Sequence, residues 1–86
     1  MSGRRNADRA LLSGLASATR AIRAREGLSQ ADVARRGGLG KHYPGMVERE
    51  RANPTITHLD RLARGLGLSN VGELWHAAEA EVRRAR

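Results

Sequence analysis

Hydrophobic residues recur at steps of three and four along three stretches of the chain. One stretch runs from about Asp8 to Ile22, one from Ile56 to Leu66, and one from Val71 to Val82. This spacing puts apolar side chains on one face of a helix, whereas a half-buried strand alternates apolar and polar residues. The sequence contains no such alternation. The pattern therefore predicts three amphipathic helices and no sheet.

The segment between the first two stretches carries the local signals of a shorter helix. Ser29 is a suitable N-cap, and Asp32 lies three residues further on, where its carboxylate can accept from the amide of the cap. We expect a helix over Gln30–Arg36. It should end at Gly37-Gly38, because glycine accepts a positive φ at little steric cost.

Another short helix is expected within the limits Lys41–Arg49, and its start has two alternatives. Proline inside a helix removes an amide donor and clashes with the preceding turn, whereas in the first turn it is tolerated. If Pro44 lies in the first turn, the helix begins near Tyr43 and leaves Lys41 and His42 in the preceding turn. Two short helices joined by a glycine turn form a helix-turn-helix, whose second helix can enter the major groove of DNA.

Helix ends complete this assignment. Gly27 should end the first helix. The sequence Ala52-Asn53-Pro54 interrupts the helical pattern, and Thr55 is then expected to cap a fourth helix. Ser69 is expected to cap a fifth. The chain is thus predicted to be all-α, with five helices.

Length and charge add to this picture. At 86 residues the chain is long enough for one small hydrophobic core and too short for two. Fifteen arginines and one lysine give a net charge of +7 and a pI of about 11.6. This balance favours a polyanionic partner, either nucleic acid or an anionic membrane surface. Residues 1–7 include Arg4 and Arg5 but no apolar periodicity, so we expect a flexible basic arm followed by one domain over residues 8–86.

Other functional classes have little support in the sequence. Cysteine is absent, which is typical of a cytoplasmic protein and excludes disulfides and thiolate metal sites. No apolar run approaches the roughly 20 residues of a membrane span. The histidines, His42, His58 and His76, are too far apart for a local metal motif, and the serines are better explained as surface or capping residues than as nucleophiles. We expect no enzyme activity, no cofactor and no metal.

From about Leu15 to Trp75 the chain resembles the Cro/C1-type family of DNA-binding domains. That family includes phage repressors, small bacterial regulators, antitoxins and the controller proteins of restriction–modification systems. The matching positions fall in all five expected helices: Ile22-Arg23, Gly27-Leu28-Ser29-Gln30, Val33-Ala34, Gly38-Leu39, Tyr43, Val47-Glu48-Arg49, Asn53-Pro54, Leu59, Leu62-Ala63, Leu66-Gly67 and Glu73-Leu74.

The resemblance implies a five-helix, lambda-repressor-like fold. It also implies that Arg23 forms a buried ion pair with Glu48 at the end of the third helix. A buried pair adds little net stability, but removing one partner leaves the other charge unpaired in the interior. We therefore interpret this pair as a device that fixes how the helices meet.

The resemblance also assigns residues to DNA contact. Gln30 matches a phosphate-holding position at the start of the second helix, where helix amides also point at an anion. Val47 should face inward. The outward positions match base-reading and phosphate-contacting positions, namely Lys41, His42, Gly45, Met46 and Arg49. Arg51 and Asn53 lie in the loop that the family brings to the DNA backbone.

These side chains would read DNA differently, and three positions depart from the family pattern. Lys41 can donate to guanine O6 or N7, His42 can donate to either a purine acceptor or a phosphate, and Met46 offers only an apolar contact. Gly40 replaces a usual Ser or Thr cap, and Pro44-Gly45 replaces a large apolar residue followed by a polar one. Glu50 replaces a usual glycine after the third helix. The departures bear on individual contacts rather than on the fold.

The apolar stripe of the last helix continues to Val82, and we expect it to be longer than a four-helix body can cover. We expect Trp75, Ala78 and Val82 to form a homodimer interface, with help from the end of the fourth helix. The implied function is a transcriptional regulator, such as a repressor, that binds a palindromic operator in double-stranded DNA. An alternative is an antitoxin-like module that binds a protein partner as well as DNA. RNA binding is a third option, weakened by the scarcity of stacking aromatics.

Overall fold

The computed structural model describes the backbone of residues 2–85 and the side chains of residues 9–85, and within that range it contains five helices and no strand. The all-α expectation is confirmed. The helices are α1 (Ser2–Arg25), α2 (Gln30–Gly37), α3 (Tyr43–Glu48), α4 (Ile56–Gly65) and α5 (Val71–Arg84).

Helix α1 begins earlier than its leucine periodicity indicated. It starts at Ser2 rather than near Asp8, and it is 24 residues long. Most of the segment expected to be a flexible arm is therefore continuous with α1, while Met1 lies outside the described residues. A contact between this segment and DNA remains a prediction.

The signals at the ends of α2 act as predicted. The Ser29 hydroxyl accepts from the Asp32 amide at 3.0 Å, and the Ser29 amide donates to the Asp32 carboxylate at 2.9 Å. The bond from the Ser29 amide stabilises the charged carboxylate and holds the pKa of Asp32 below its ordinary value. At the other end Gly38 adopts φ 67°, and the Leu39 amide donates to the Ala34 carbonyl at 2.8 Å.

Helix α3 takes the later of the two predicted starts. It begins at Tyr43, has Pro44 in its first turn, and leaves Lys41 and His42 in the turn before it. His42 occupies the N-cap position without making a side-chain cap bond. After the helix, Glu50 adopts φ 59°, the left-handed conformation for which glycine is the usual residue.

The caps of the last two helices were predicted with mixed success. Thr55 caps α4, since its hydroxyl accepts from the His58 amide at 3.2 Å. The assignment of Ser69 as the cap of α5 is wrong by one residue. Asn70 is the N-cap, and its side-chain oxygen accepts from the Glu73 amide at 3.1 Å. The Ser69 amide instead donates to the Glu73 carboxylate at 2.6 Å.

The core lies where α1 packs on α5 and α2 packs on α4. The long α1 covers the apolar stripe of α5, including its C-terminal half. Ala78 is only 1% exposed, so the expectation that it lies on an open dimer face is wrong. Val82 is half-buried, and its Cγ2 lies 2.7 Å from the point that a Cβ on Gly14 would occupy. The fully or nearly buried hydrophobic residues are Leu15, Ala16, Ala18, Ile22, Val33, Ala34, Val47, Ala52, Leu62, Ala63, Leu66, Leu74 and Ala78.

Candidate nucleic-acid interface

Helix α3 and its flanking turns expose most of the side chains predicted to contact DNA. Val47 is 3% exposed and points into the core, as predicted, whereas Met46 is 37% exposed. Asn53 is exposed and lies at the rim of an apolar groove beside Trp75. The other exposed members of the predicted set are Lys41, His42, Arg49 and Arg51. One surface therefore combines cationic, imidazole and apolar groups suited to phosphates and base edges.

Gly45 does not face outward as expected; it is buried. A Cβ at this position would stand 2.9 Å from Gln30 Oε1 and 3.1 Å from Arg49 Nη1. The side chains of Gln30 and Arg49 thus both lie over Gly45 in α3. This packing brings the predicted phosphate contact on α2 next to the recognition helix.

Arg23 and Glu48 form a two-pronged ion pair between α1 and the end of α3. Arg23 Nε donates to Glu48 Oε2 at 2.8 Å, and Nη2 donates to Oε1 at 3.0 Å. The hydrogen bond from Arg23 to the Glu48 carboxylate raises the pKa of Arg23 above its ordinary value. Arg20 also donates from Nη1 to the Glu48 carbonyl at 2.6 Å. Two arginines of α1 therefore secure the C-terminal end of α3.

The helix-turn-helix turn has a second set of supports from α4. Arg61 Nη1 donates to the Gly38 carbonyl at 3.0 Å. The rings of Tyr43 and His58 stack with their centroids 4.7 Å apart, and burial raises the pKa of the Tyr43 hydroxyl. Sequence reasoning missed these contacts because residues 15 to 23 positions apart carry no local pattern. Only the fold shows that α4 lies beneath the turn.

An apolar groove begins at Asn53 and includes residues of α1, α4 and α5. Its lining residues are Leu11, Leu12, Leu15, Asn53, Pro54, Leu59 and Trp75. Trp75 is 42% exposed, and Ile56 at the start of α4 is 70% exposed. Of the three residues predicted for a dimer interface, Trp75 therefore has the most open side chain.

Within the described part of the chain, no cluster of three histidine, cysteine or carboxylate side chains could hold a metal ion. No helix there is both long and apolar enough to cross a membrane. The polar surface around α3 and the apolar groove are therefore the two features that call for a functional explanation.

The arrangement of α2, its glycine turn and α3 defines a helix-turn-helix protein. The model of the family described as helix-turn-helix matches residues 20–70. The chain belongs to this family of DNA-binding transcription regulators.

Two curated proteins show how the sequence compares with relatives. The chain is 42% identical over 50 residues to the HTH-type transcriptional regulator y4dJ of Sinorhizobium fredii, an alignment covering 58% of this chain and 65% of the relative. It is 36% identical over 55 residues to a hypothetical transcription factor of Neisseria meningitidis, covering 64% of this chain and 52% of the relative. The match thus spans less than two thirds of either relative.

Solved structures match a larger share of the chain. The wild-type restriction-modification controller protein C.Esp1396I superposes with a TM-score of 0.76 at 30% identity, covering 86% of this chain and 95% of the controller. The same controller as a tetramer in complex with its natural 35 base-pair operator gives a TM-score of 0.76 at 30% identity, covering 85% and 95% of the two chains. The Neisseria transcription factor gives 0.70 at 32% identity, covering 79% and 77%.

Proposed function

We propose that this protein binds a palindromic operator in double-stranded DNA as a homodimer and so regulates transcription. The observation that carries the proposal is the surface of α3 and its flanking turns, where exposed basic side chains lie beside Gln30. The similarity to a controller protein that was solved as a tetramer in complex with its natural operator supports the DNA-binding part of this proposal. Under this proposal Gln30, Arg49 and Arg51 contact phosphates, and Lys41, His42 and Met46 face base edges.

The proposed dimer interface differs from the one expected from the sequence. Ala78 belongs to the core of the monomer, and Val82 packs against α1. Two large apolar side chains are instead open to water, namely Trp75, which lines the groove, and Ile56, the first residue of α4. Exposed apolar patches of this kind mark interfaces, and tryptophan is favoured in them. A two-fold dimer through this face would present two copies of α3 to one palindromic site.

Selection of random duplexes on the purified protein tests the DNA part of this proposal. We expect a symmetric enriched motif, with half-sites about 10 base pairs apart from centre to centre. Affinity should fall steeply with salt, because each phosphate contact contributes about 0.9 to the slope of log K against log salt. Lys41→Ala and His42→Ala should relax the enriched motif at particular base pairs, whereas Arg51→Ala should weaken all sequences alike. No enrichment at low salt would contradict the proposal.

The dimer is tested by Ile56→Glu, measured by sedimentation and by operator binding. A carboxylate in the first turn of α4 suits the helix dipole, so the monomer should remain folded while the apolar contact is lost. Thr57→Glu is the matched control, because it adds the same charge one residue further on, beside the Tyr43–His58 stack rather than the groove. We expect Ile56→Glu to shift the protein towards monomers and to weaken operator binding, whereas Thr57→Glu should sediment as the wild type does. A wild-type protein that stays monomeric on a symmetric operator would contradict the dimer.

The antitoxin-like alternative uses the same groove for another purpose. Its apolar walls at Leu11, Pro54 and Trp75 would then bind a protein partner rather than a second copy. The two candidates differ in sedimentation of the purified protein. A dimer that Ile56→Glu dissociates favours the regulator proposed here, whereas a stable monomer with this groove open favours the partner-binding module.

A further inference from the structure

The carboxylate of Glu48 makes a contact beyond its ion pair. Its Oε1 atom accepts from Gln30 Nε2 at 3.2 Å, in addition to accepting from Arg23 Nη2 at 3.0 Å. The Glu48 side chain is only 5% exposed, whereas Arg23 keeps 25% of its side chain exposed. A single buried carboxylate therefore connects α1, the end of α3 and the first residue of α2.

This contact decides which way round the Gln30 amide lies. An ionised carboxylate can only accept hydrogen bonds, so the amide nitrogen of Gln30, and not its oxygen, must face Glu48. One N–H of that nitrogen is used by Glu48, and the second remains free to donate. The amide oxygen consequently points towards Gly45, where it lies 2.9 Å from the position of an absent Cβ.

Gly45 leaves the space that this orientation needs. Adding a Cβ there would bring it against the ends of two flexible side chains, Gln30 Oε1 at 2.9 Å and Arg49 Nη1 at 3.1 Å. No backbone atom of another element lies among these close neighbours. A methyl group at Gly45 should therefore displace Gln30 without disturbing the fold.

We propose that Glu48 and Gly45 are positioning residues that hold the Gln30 amide ready for a DNA phosphate. This inference rests on the proposed function, because it assigns the free N–H of Gln30 to the DNA backbone. A side chain already held in its bound orientation loses less conformational freedom on binding. Loss of that orientation should weaken operator binding by about three- to ten-fold, which is the cost of ordering one long side chain.

The decisive variant is Gly45→Ala, with Gly40→Ala as its matched control. Both changes add one methyl group near α3, but a Cβ on Gly40 meets nothing within 4 Å. We expect Gly45→Ala to melt at or above the wild-type temperature, since alanine is the better helix former, while operator affinity falls about three- to ten-fold. Gly40→Ala should bind as wild type does.

A double-mutant cycle separates positioning from a direct clash with DNA. If Gly45→Ala and Glu48→Gln act through Gln30, each should cost little further affinity in a Gln30→Ala background. This measurement is made at a temperature where every variant is folded, as shown by circular dichroism. Losses of equal size with and without Gln30 would overturn the proposal, and so would full affinity of both single variants.

A second measurement needs no DNA. Gln30 is the only glutamine of the chain, so glutamine labelled with ¹⁵N at the side-chain amide gives a single NH₂ pair in NMR spectra. We expect the two protons to be well separated in the wild type and to approach free-amide shifts in Gly45→Ala. Unchanged shifts would overturn the positioning role. If no duplex binds the wild type, the proposed function fails, and this spectrum still decides whether Gln30 is held.

Discussion

The two halves of the helix-turn-helix are held in different ways. Helix α2 has a reciprocal cap between Ser29 and Asp32 at one end and a left-handed glycine at the other. Helix α3 has no side-chain bond at its cap, and the left-handed position after it is occupied by Glu50. The six residues of α3 are too few for a stable helix on their own.

Contacts with the rest of the molecule replace the missing local signals of α3. Arg20 and Arg23 bind its last residue, and Val47 is buried in the core. Helix α2 is therefore specified mainly by its own sequence, whereas α3 is specified by what surrounds it. Mutations that remove caps should affect α2, and mutations at a distance should affect α3.

The largest effect is expected from the ion pair at the end of α3. Arg23→Ala should cost about 3–5 kcal/mol of unfolding free energy, because it leaves the Glu48 carboxylate buried without its cation. Glu48→Ala should fall at the lower end of that range, since Arg23 is the more exposed partner. The double variant should cost less than the sum of the two. Urea unfolding followed by circular dichroism measures all three, and single variants of wild-type stability would contradict this account of α3.

The next largest effect concerns the caps of the two helices. Ser29→Ala should destabilise the protein by about 1 kcal/mol, because it leaves the Asp32 amide without its acceptor. His42→Ala is the matched change at the cap of α3, and it should have almost no effect on thermal stability, since His42 makes no cap bond. Equal losses of stability in Ser29→Ala and His42→Ala would mean that α3 depends on its cap side chain as much as α2 does.

A smaller change in stability, this time an increase, is expected when Glu50 is replaced. A left-handed residue other than glycine costs roughly 1–2 kcal/mol, and glycine loses about 0.5–1 kcal/mol more conformational freedom on folding. Glu50→Gly should therefore stabilise the protein by about 0.5 kcal/mol. Gly38→Ala, the reverse change after α2, should destabilise it. A lower melting temperature for Glu50→Gly would show that the Glu50 side chain makes a compensating contribution.

The smallest expected effect is a pH dependence of stability that comes from the Asp32 carboxylate at the start of α2. The folded-state pKa of Asp32 is depressed by its bonds to Ser29, so the carboxylate stabilises the fold above its unfolded pKa of about 3.9. That contribution is lost as the pH falls through the lower folded pKa. Urea midpoints of wild type and Asp32→Asn should therefore differ near pH 6 and converge once the pH has fallen below the folded-state pKa of Asp32. A constant difference would contradict the cap as its source.

Sequence-based prediction succeeded where structure is local. The ends of α2 depend on Ser29, Asp32 and Gly38, which lie within ten positions of one another, and the start of α3 follows from the chemistry of Pro44. The cap of α5 was missed by one residue because Ser69 and Asn70 are both good caps. Which of them acts depends on how Glu73 bonds to them, and residue preference alone does not settle that.

Prediction failed where distant elements meet. Gly45 was expected on the surface, but side chains from α2 and from the end of α3 fold over it. Ala78 was expected at an interface because the apolar stripe of α5 was judged too long for the other helices to cover, but α1 packs along that stripe and Gly14 lies against the Ala78 carbonyl. In both cases the sequence carries no information about which distant element packs against the residue, because the spacing of residues along the chain reports only local structure.

The close packing of α1 on α5 also bears on how the chain acquires its fold during synthesis. Helix α1 has its main packing partner in α5, which is synthesised after α2, α3 and α4. At about 5–20 residues per second, ribosomes need several seconds to produce the segment between them. Leu15 and Ile22 stay uncovered by α5 for that time, so the nascent chain presents an apolar helix to chaperones until α5 has been made. Folding of this domain is thereby coupled to the emergence of α5.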